Sequence, residues 1–107
     1  MKNQMKEINC CLALACHRSL EERLVDHLLE HPEWVSGFSV LNLEGGSQNE
    51  FLPSMTEQVR GRSRRVQIQA VMNLDDAHAL ITQLKREENN PEMAYWITPV
   101  IEFGRLV

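Results

Sequence analysis

Residues 45–63, GGSQNEFLPSMTEQVRGRS, separate two halves of the chain that repeat one pattern of strand, helix and strand. A segment of about twenty residues with no helix or strand pattern of its own is unusual in a small domain, and such segments are commonly functional or disordered. We therefore predict a single βαββαβ domain over residues 1–107, with a flexible insert at 45–63 that joins the two middle strands in chain order.

The first half carries clear strand and helix patterns. Residues 8–16 form a continuous apolar run, which is typical of a strand buried on both faces. Ser19 and Glu22 match a capping box, so a helix is predicted to begin after Ser19. The His-Pro pair at 31–32 closes that helix, and residues 37–43 are predicted as the second strand.

The second half repeats this order. Residues 66–72 alternate apolar and polar side chains and predict the third strand. Asp75 is the predicted N-cap of a second helix that ends at residues 88–91. The last strand is predicted over residues 94–103, where Pro99 requires a sheet edge or a bulge because it has no N–H to donate.

Two such units fold most simply as an α+β ferredoxin-like sandwich with one antiparallel four-stranded sheet and both helices on one face. The other face would then present small apolar side chains from the first strand and two glutamines from the third, namely Cys11, Ala13, Ala15, Gln67 and Gln69. A face of this composition suits contact with another protein chain better than contact with water. It therefore predicts an oligomer.

Composition limits the classes of function. The chain is 43% hydrophobic and 24% charged with a net charge of −4, so one globular domain is expected and nucleic acid is not an expected partner. Cys10, Cys11 and Cys16 fall in one predicted strand, which disfavours a disulfide framework and favours a reducing cytoplasm. Residues 12–16, LALAC, loosely match the end of a lipoprotein signal, but the apolar run is too short, so a cytoplasmic location is expected.

Candidate ligand groups are few. The basic run at 60–65, RGRSRR, is either a solvated loop end or an anion site for phosphate or carboxylate. Cys16 and His17 are one candidate nucleus for a metal, and His27 and His31 have the four-residue spacing that can place two imidazoles on one ion. No catalytic Ser/His/Asp or Cys/His grouping can be assembled from the sequence.

Residues 37–45, GFSVLNLEG, resemble the strand before the flexible T-loop of PII-like proteins, and residues 65–69, RVQIQ, resemble the segment after it. With the order of elements along nearly the whole chain, these motifs resemble the PII-like superfamily related to nitrogen-regulatory PII. The resemblance implies a homotrimer with ligand clefts between subunits and a T-loop that contacts a partner protein. It places Ser39, Gly45 and Arg65 at the cleft. Gly46 and Arg64, their neighbours in the sequence, are further candidate ligand residues from the glycine pair and the basic run.

The chain departs from the PII pattern in places. The T-loop tyrosine that is modified in some PII proteins has no counterpart, and residues 88–94, ENNPEMA, replace a second nucleotide loop that normally carries glycines and a lysine. ATP or ADP bound in the usual manner is therefore not expected. Pro91-Glu92 and Pro99-Val100 are also similar to CutA-type divalent-cation tolerance proteins, and the chain resembles an uncharacterised PII-like family associated with heavy-metal efflux systems.

The expected function is that of a non-enzymatic PII-like regulator with a small ligand or ion between subunits. The insert would contact a partner protein, such as a membrane transporter or efflux component, through Phe51, Leu52 and Met55. One alternative is a divalent heavy-metal binding or tolerance protein. Another is a small dimeric ferredoxin-like enzyme, which would require a deep pocket between sheet and helices.

Overall fold

The structure, a computed structural model, describes residues 6–46 and 63–107. The elements are β1 (Cys10–His17), a 3-10 turn (Arg18–Leu20), α1 (Glu21–Leu29), β2 (Ser39–Gly45), β3 (Ser63–Met72), α2 (Leu74–Glu87) and β4 (Ala94–Pro99). The strands form one antiparallel sheet in the order β2-β3-β1-β4. This is the predicted ferredoxin-like arrangement, with β2 and β4 at the edges.

The core lies between the sheet and the two helices. Alternate residues of β1 face the helices, and Leu12, which is 1% exposed, is typical of them. Burying one such leucine contributes about 1.5–3 kcal/mol. The β1 and β3 side chains that form the sheet side of this core are Cys10, Leu12, Leu14, Cys16, Val66, Ile68, Ala70 and Met72. The helix-facing side of β1 is therefore the one that the sequence predicted.

Both helices begin differently from the prediction. Ser19 lies inside the 3-10 turn, its backbone N–H donates to His17 Nδ1 at 3.1 Å, and α1 has Leu20 at its N-cap with no side-chain cap. Asn73, rather than Asp75, caps α2, because its side-chain oxygen accepts the Asp75 N–H at 3.0 Å. The two predicted N-caps were therefore wrong. The His17 side chain caps the 3-10 turn, and α1 begins one residue later than predicted. The cap of α2 lies two residues earlier than predicted.

The last strand is shorter than predicted. β4 ends at Pro99, although its predicted position at the sheet edge is confirmed. There a proline removes no ladder bond, and the next residue, Val100, donates its N–H to the Asn9 carbonyl at 3.0 Å. Neither helix of the described chain is long and apolar enough to span a bilayer.

The sheet surface opposite the helices is here called the open face. The strand register places on it a row of residues from all four strands: Leu41, Leu43, Gln67, Gln69, Cys11, Ala13, Ala15 and Trp96. Leu41, Leu43 and Trp96 remain 39%, 40% and 43% exposed. Because both described helices pack on the other side, large apolar side chains are left at the surface here.

Candidate functional site

The ends of the insert are held by strand pairing. Gly45 at the end of β2 is opposite Ser63 at the start of β3, and this is the last pair of the ladder. Ser63 is fully buried, and its hydroxyl donates to the Gly45 carbonyl at 3.5 Å. The chain therefore leaves the sheet and returns to it at two neighbouring points.

Arg65 lies directly against the backbone of Gly45. A Cβ atom placed on Gly45 would be 2.5 Å from Arg65 Cδ, so only glycine allows the arginine stem to cross at this point. In the sheet Arg65 is flanked by Leu43 on β2 and His17 on β1, which places it on the open face. The structure therefore holds a guanidinium at the base of the insert, a group suited to phosphate or carboxylate.

The other predicted ligand residues are more dispersed. Gly46 adjoins Gly45, but Arg64 pairs with Glu44 and points to the opposite side of the sheet from Arg65. Ser39 is opposite Gln69, six positions along β2 from Gly45, or about 20 Å at the usual rise per residue. Within one chain the structure thus brings Gly45 and Arg65 together, with Gly46 next along the chain, and leaves Arg64 and Ser39 apart from them. Phe51, Leu52 and Met55 lie outside the described residues.

Cys16 and His17 are adjacent on β1 and point to opposite faces of the sheet. Cys16 is fully buried, and this burial raises the pKa of its thiol to about 11, although nearby Arg65 acts in the opposite direction. His17 Nδ1 accepts a hydrogen bond from the Ser19 backbone N–H and lies 3.0 Å from the Ser19 hydroxyl oxygen. A thiol metal ligand must lose its proton, so these two side chains neither meet nor provide a readily ionised sulfur.

The two histidines of the first helical region, His27 and His31, contact different partners and do not share a site. His31 stacks on Trp34, with ring centroids 4.6 Å apart, and its Nδ1 lies 3.1 Å from a Glu33 carboxylate oxygen. A backbone hydrogen bond is the main cause that lowers the pKa of Glu33, and this contact with His31 lowers the pKa further. His27 instead faces carboxylates at the end of α2. Sequence reasoning missed those carboxylates, because no local spacing connects residues about sixty positions apart.

A cavity of about 590 Å³ opens between α1, α2 and β4. Leu14, Leu24 and Leu84 are among its apolar lining residues, and residues 88–91 form part of one wall. Lys85, which also lines it, has its Nζ 5.3 Å from the centre of the Tyr95 ring. The segment that replaces the second PII nucleotide loop thus borders an apolar cavity.

The comparisons with known proteins bear on the family and the fold of the chain. A family model described as "Protein of unknown function (DUF3240)" matches residues 7–107. A search of curated proteins finds no match. Among solved structures, a DUF3240 family protein from Shewanella baltica OS155 is similar with a TM-score of 0.73 and 24% identity, covering 95% of this chain and 100% of that one.

Two further similar structures are described as PII-like. CPII, a nitrogen regulatory PII-like protein from Thiomonas intermedia K12 bound to ADP, AMP and bicarbonate, has a TM-score of 0.69 and 14% identity over 92% of this chain and 96% of its own. A putative PII-like signaling protein from Thermus thermophilus has a TM-score of 0.60 and 15% identity over 86% of each chain. These likenesses confirm the PII-like fold, and the chain belongs to the DUF3240 family.

Proposed function

We propose that this protein is a non-enzymatic regulator of the PII type. In this proposal three copies assemble through their open faces, and a small anion binds near Arg65 in the cleft between copies. Binding of the anion changes the position of the 45–63 insert, and a partner protein binds the insert in that position. The fold supports this proposal, and a ligand that orders a segment attached beside its site is an established switching mechanism.

The observation that carries the proposal is the position of Arg65. Its side chain crosses Gly45 at the base of the insert while standing on the open face. An anion bound by this guanidinium would therefore contact both the insert and the surface through which copies would meet. Charge-assisted hydrogen bonds of this kind are roughly twice as strong as neutral ones, so the site can couple ligand binding to the position of the insert.

The open face supports assembly. Leu41, Leu43 and Trp96 are partly exposed around a flat strip that contains Ala13. Partly exposed apolar side chains that surround small ones are typical of an interface, because a second sheet surface can approach closely and cover them. A cyclic assembly would protect all of them.

The cavity gives little support to the enzymatic alternative. Among the residues that the structure describes, its charged lining residues are Lys85 and Glu88, and none of the lining residues is a serine, cysteine or histidine. Lys85 lies over the Tyr95 ring, and Glu88 is paired with Arg23 and His27. Both charged groups are therefore already engaged, so we assign no reaction to the cavity.

Titration calorimetry tests the ligand site. We expect at least one of ATP, ADP, AMP, a cyclic nucleotide or bicarbonate to bind the wild-type chain. Binding should be lost in Arg65→Gln and kept in Arg86→Gln, which removes the same charge from an exposed position on α2. If none of these ligands gives heat, or if Arg65→Gln binds as well as wild type, the anion site is refuted.

The partner contact is tested separately. A variant with Phe51, Leu52 and Met55 changed to serine should keep its oligomeric state and ligand affinity. It should also fail to retain the protein that the wild-type chain captures from membranes and extract of its own cell. A variant that still captures this protein would remove the assigned role of the three side chains.

A further inference from the structure

A second polar site lies in the helix layer, away from Arg65 and independent of the proposed function. His27 in the last turn of α1 meets two glutamates at the C-terminal end of α2, Glu87 and Glu88, and Glu30, which directly follows its own helix. The Nε2 atom of His27 pairs with the Glu88 carboxylate, and Arg23 pairs with the same carboxylate at 3.0 Å. The Glu88 side chain is only 7% exposed, so this arrangement fixes the imidazole from one side.

The other ring nitrogen is in an unusual position. His27 Nδ1 is buried and has no hydrogen-bond partner among the described residues, although Glu87 Oε1 is 2.8 Å away and Glu30 Oε1 is 3.9 Å away. The Glu87 oxygen is therefore close without being aligned for a hydrogen bond. One ring nitrogen of His27 and one carboxylate oxygen from each of Glu30 and Glu87 all lie within 4.8 Å of one another.

A bound cation would stabilise this arrangement. In the tautomer whose Nε2–H donates a hydrogen bond to Glu88, Nδ1 carries a lone pair that faces two carboxylates. Three hydrogen-bond acceptors that face one another repel unless a positive charge lies between them. The three glutamates outnumber the single arginine, so the cluster carries an excess of negative charge that a divalent ion would offset.

We propose that His27, Glu30 and Glu87 bind one divalent first-row transition-metal ion, for example Zn²⁺. One imidazole and two carboxylates form a borderline donor set that suits Zn²⁺ and its neighbours better than soft Cu⁺. Small adjustments of the two carboxylates would bring each donor to the usual distance of about 2.0–2.2 Å. Their side chains are 65% and 35% exposed, so the ion can enter and water can complete its coordination.

Glu88 orients the metal-binding histidine. A carboxylate that accepts the second ring N–H of such a histidine fixes its tautomer and raises its basicity, and loss of this carboxylate typically weakens metal affinity about 10- to 100-fold. Arg23 in turn holds Glu88 in place. Glu88 is thus a positioning residue and not a ligand.

Calorimetry with Zn²⁺ alone, on chain stripped of metal by a chelator, tests the site. Wild type should bind one ion per chain. Glu30→Gln and Glu87→Gln should each weaken binding at least about tenfold, and Glu88→Gln about 10- to 100-fold. His31→Gln is the matched control, a nearby histidine engaged elsewhere, and should bind as wild type. These carboxamide variants keep His27 and their volume, and thermal unfolding verifies that they fold.

Several results would overturn this assignment. One is the absence of zinc binding to wild type up to about 1 mM zinc, a dissociation constant that corresponds to a binding free energy of about −4 kcal/mol. In that case a proton on His27 would be the cation of the cluster. A second is unchanged zinc affinity in the double variant Glu30→Gln with Glu87→Gln. A third is loss of zinc binding in the double variant Cys16→Ser with His17→Ala. Arg65→Gln should still bind zinc, so failure of the anion site and failure of the metal site are distinguishable.

Discussion

Leu41 and Leu43 offer a direct test of whether the open face is an interface. We expect replacement of both by glutamate to dissociate the assembly while each chain stays folded, since both side chains stand on an edge strand and already contact water. They are 39% and 40% exposed. Burying a whole leucine contributes about 1.5–3 kcal/mol, so burying the exposed two fifths contributes about 0.6–1.2 kcal/mol for each residue.

In a trimer this contribution comes from two leucines in each of three chains. The sum is about 4–7 kcal/mol when the interface covers both side chains completely, and the cost of burying the new carboxylates adds to it. Because about 1.4 kcal/mol corresponds to a factor of ten, the assembly constant should fall at least several hundredfold.

Sedimentation equilibrium at micromolar concentration measures the effect. Wild type should sediment as a trimer and the double variant as a monomer with an unchanged circular dichroism spectrum. Leu29→Glu is the matched control: this leucine is 63% exposed on the helix layer, so its replacement should leave the trimer intact. A monomeric wild type, or a double variant that remains trimeric, would refute this account of the open face.

Three further predictions concern single residues. Cys16 should resist alkylation at pH 8 in the folded chain, because its thiol pKa is raised to about 11 and only about one thiol in a thousand is then ionised. Cys11 should react with the alkylating reagent in the monomeric variant and only slowly in the trimer. Rapid labelling of Cys16 would contradict its burial. Gly45→Ala should displace the guanidinium stem that lies 2.5 Å from the new Cβ and so weaken anion binding in calorimetry, with little change in melting temperature. Asn73→Ala should lower the free energy of unfolding by about 1 kcal/mol in urea and Asp75→Ala by less; the reverse order would restore the sequence-based assignment of the cap.

The two faces of the sheet were predictable because strand side chains alternate strictly. The alternation at 66–72 predicts which residues of the third strand face the helices. In the apolar run at 8–16 the face with the larger side chains is the one that packs against the helices, and the structure confirms this division. The caps were harder to predict. Asn73, Asp75 and Asp76 are all plausible N-cap residues, and the choice among them depends on where the preceding strand stops pairing.

The His27 cluster could not be predicted from sequence. Its donors come from the ends of two helices that meet only after the sheet has formed, and the axial position of one helix against the other determines which carboxylates reach the ring. The spacing of His27 and His31 suggested a shared ion, but Trp34 packs against His31 and holds it elsewhere. Local spacing shows which residues share a helix face, whereas contacts between elements depend on tertiary packing.

The ladder that closes at Gly45 and Ser63 separates scaffold from insert. Because these two residues are already paired, the cost of joining them does not depend strongly on what lies between: doubling the length of a connecting loop costs only about 0.6 kcal/mol. Residues 46–62 can therefore be exchanged for other sequences, or grafted onto a related sheet, without redesign of the domain that carries them.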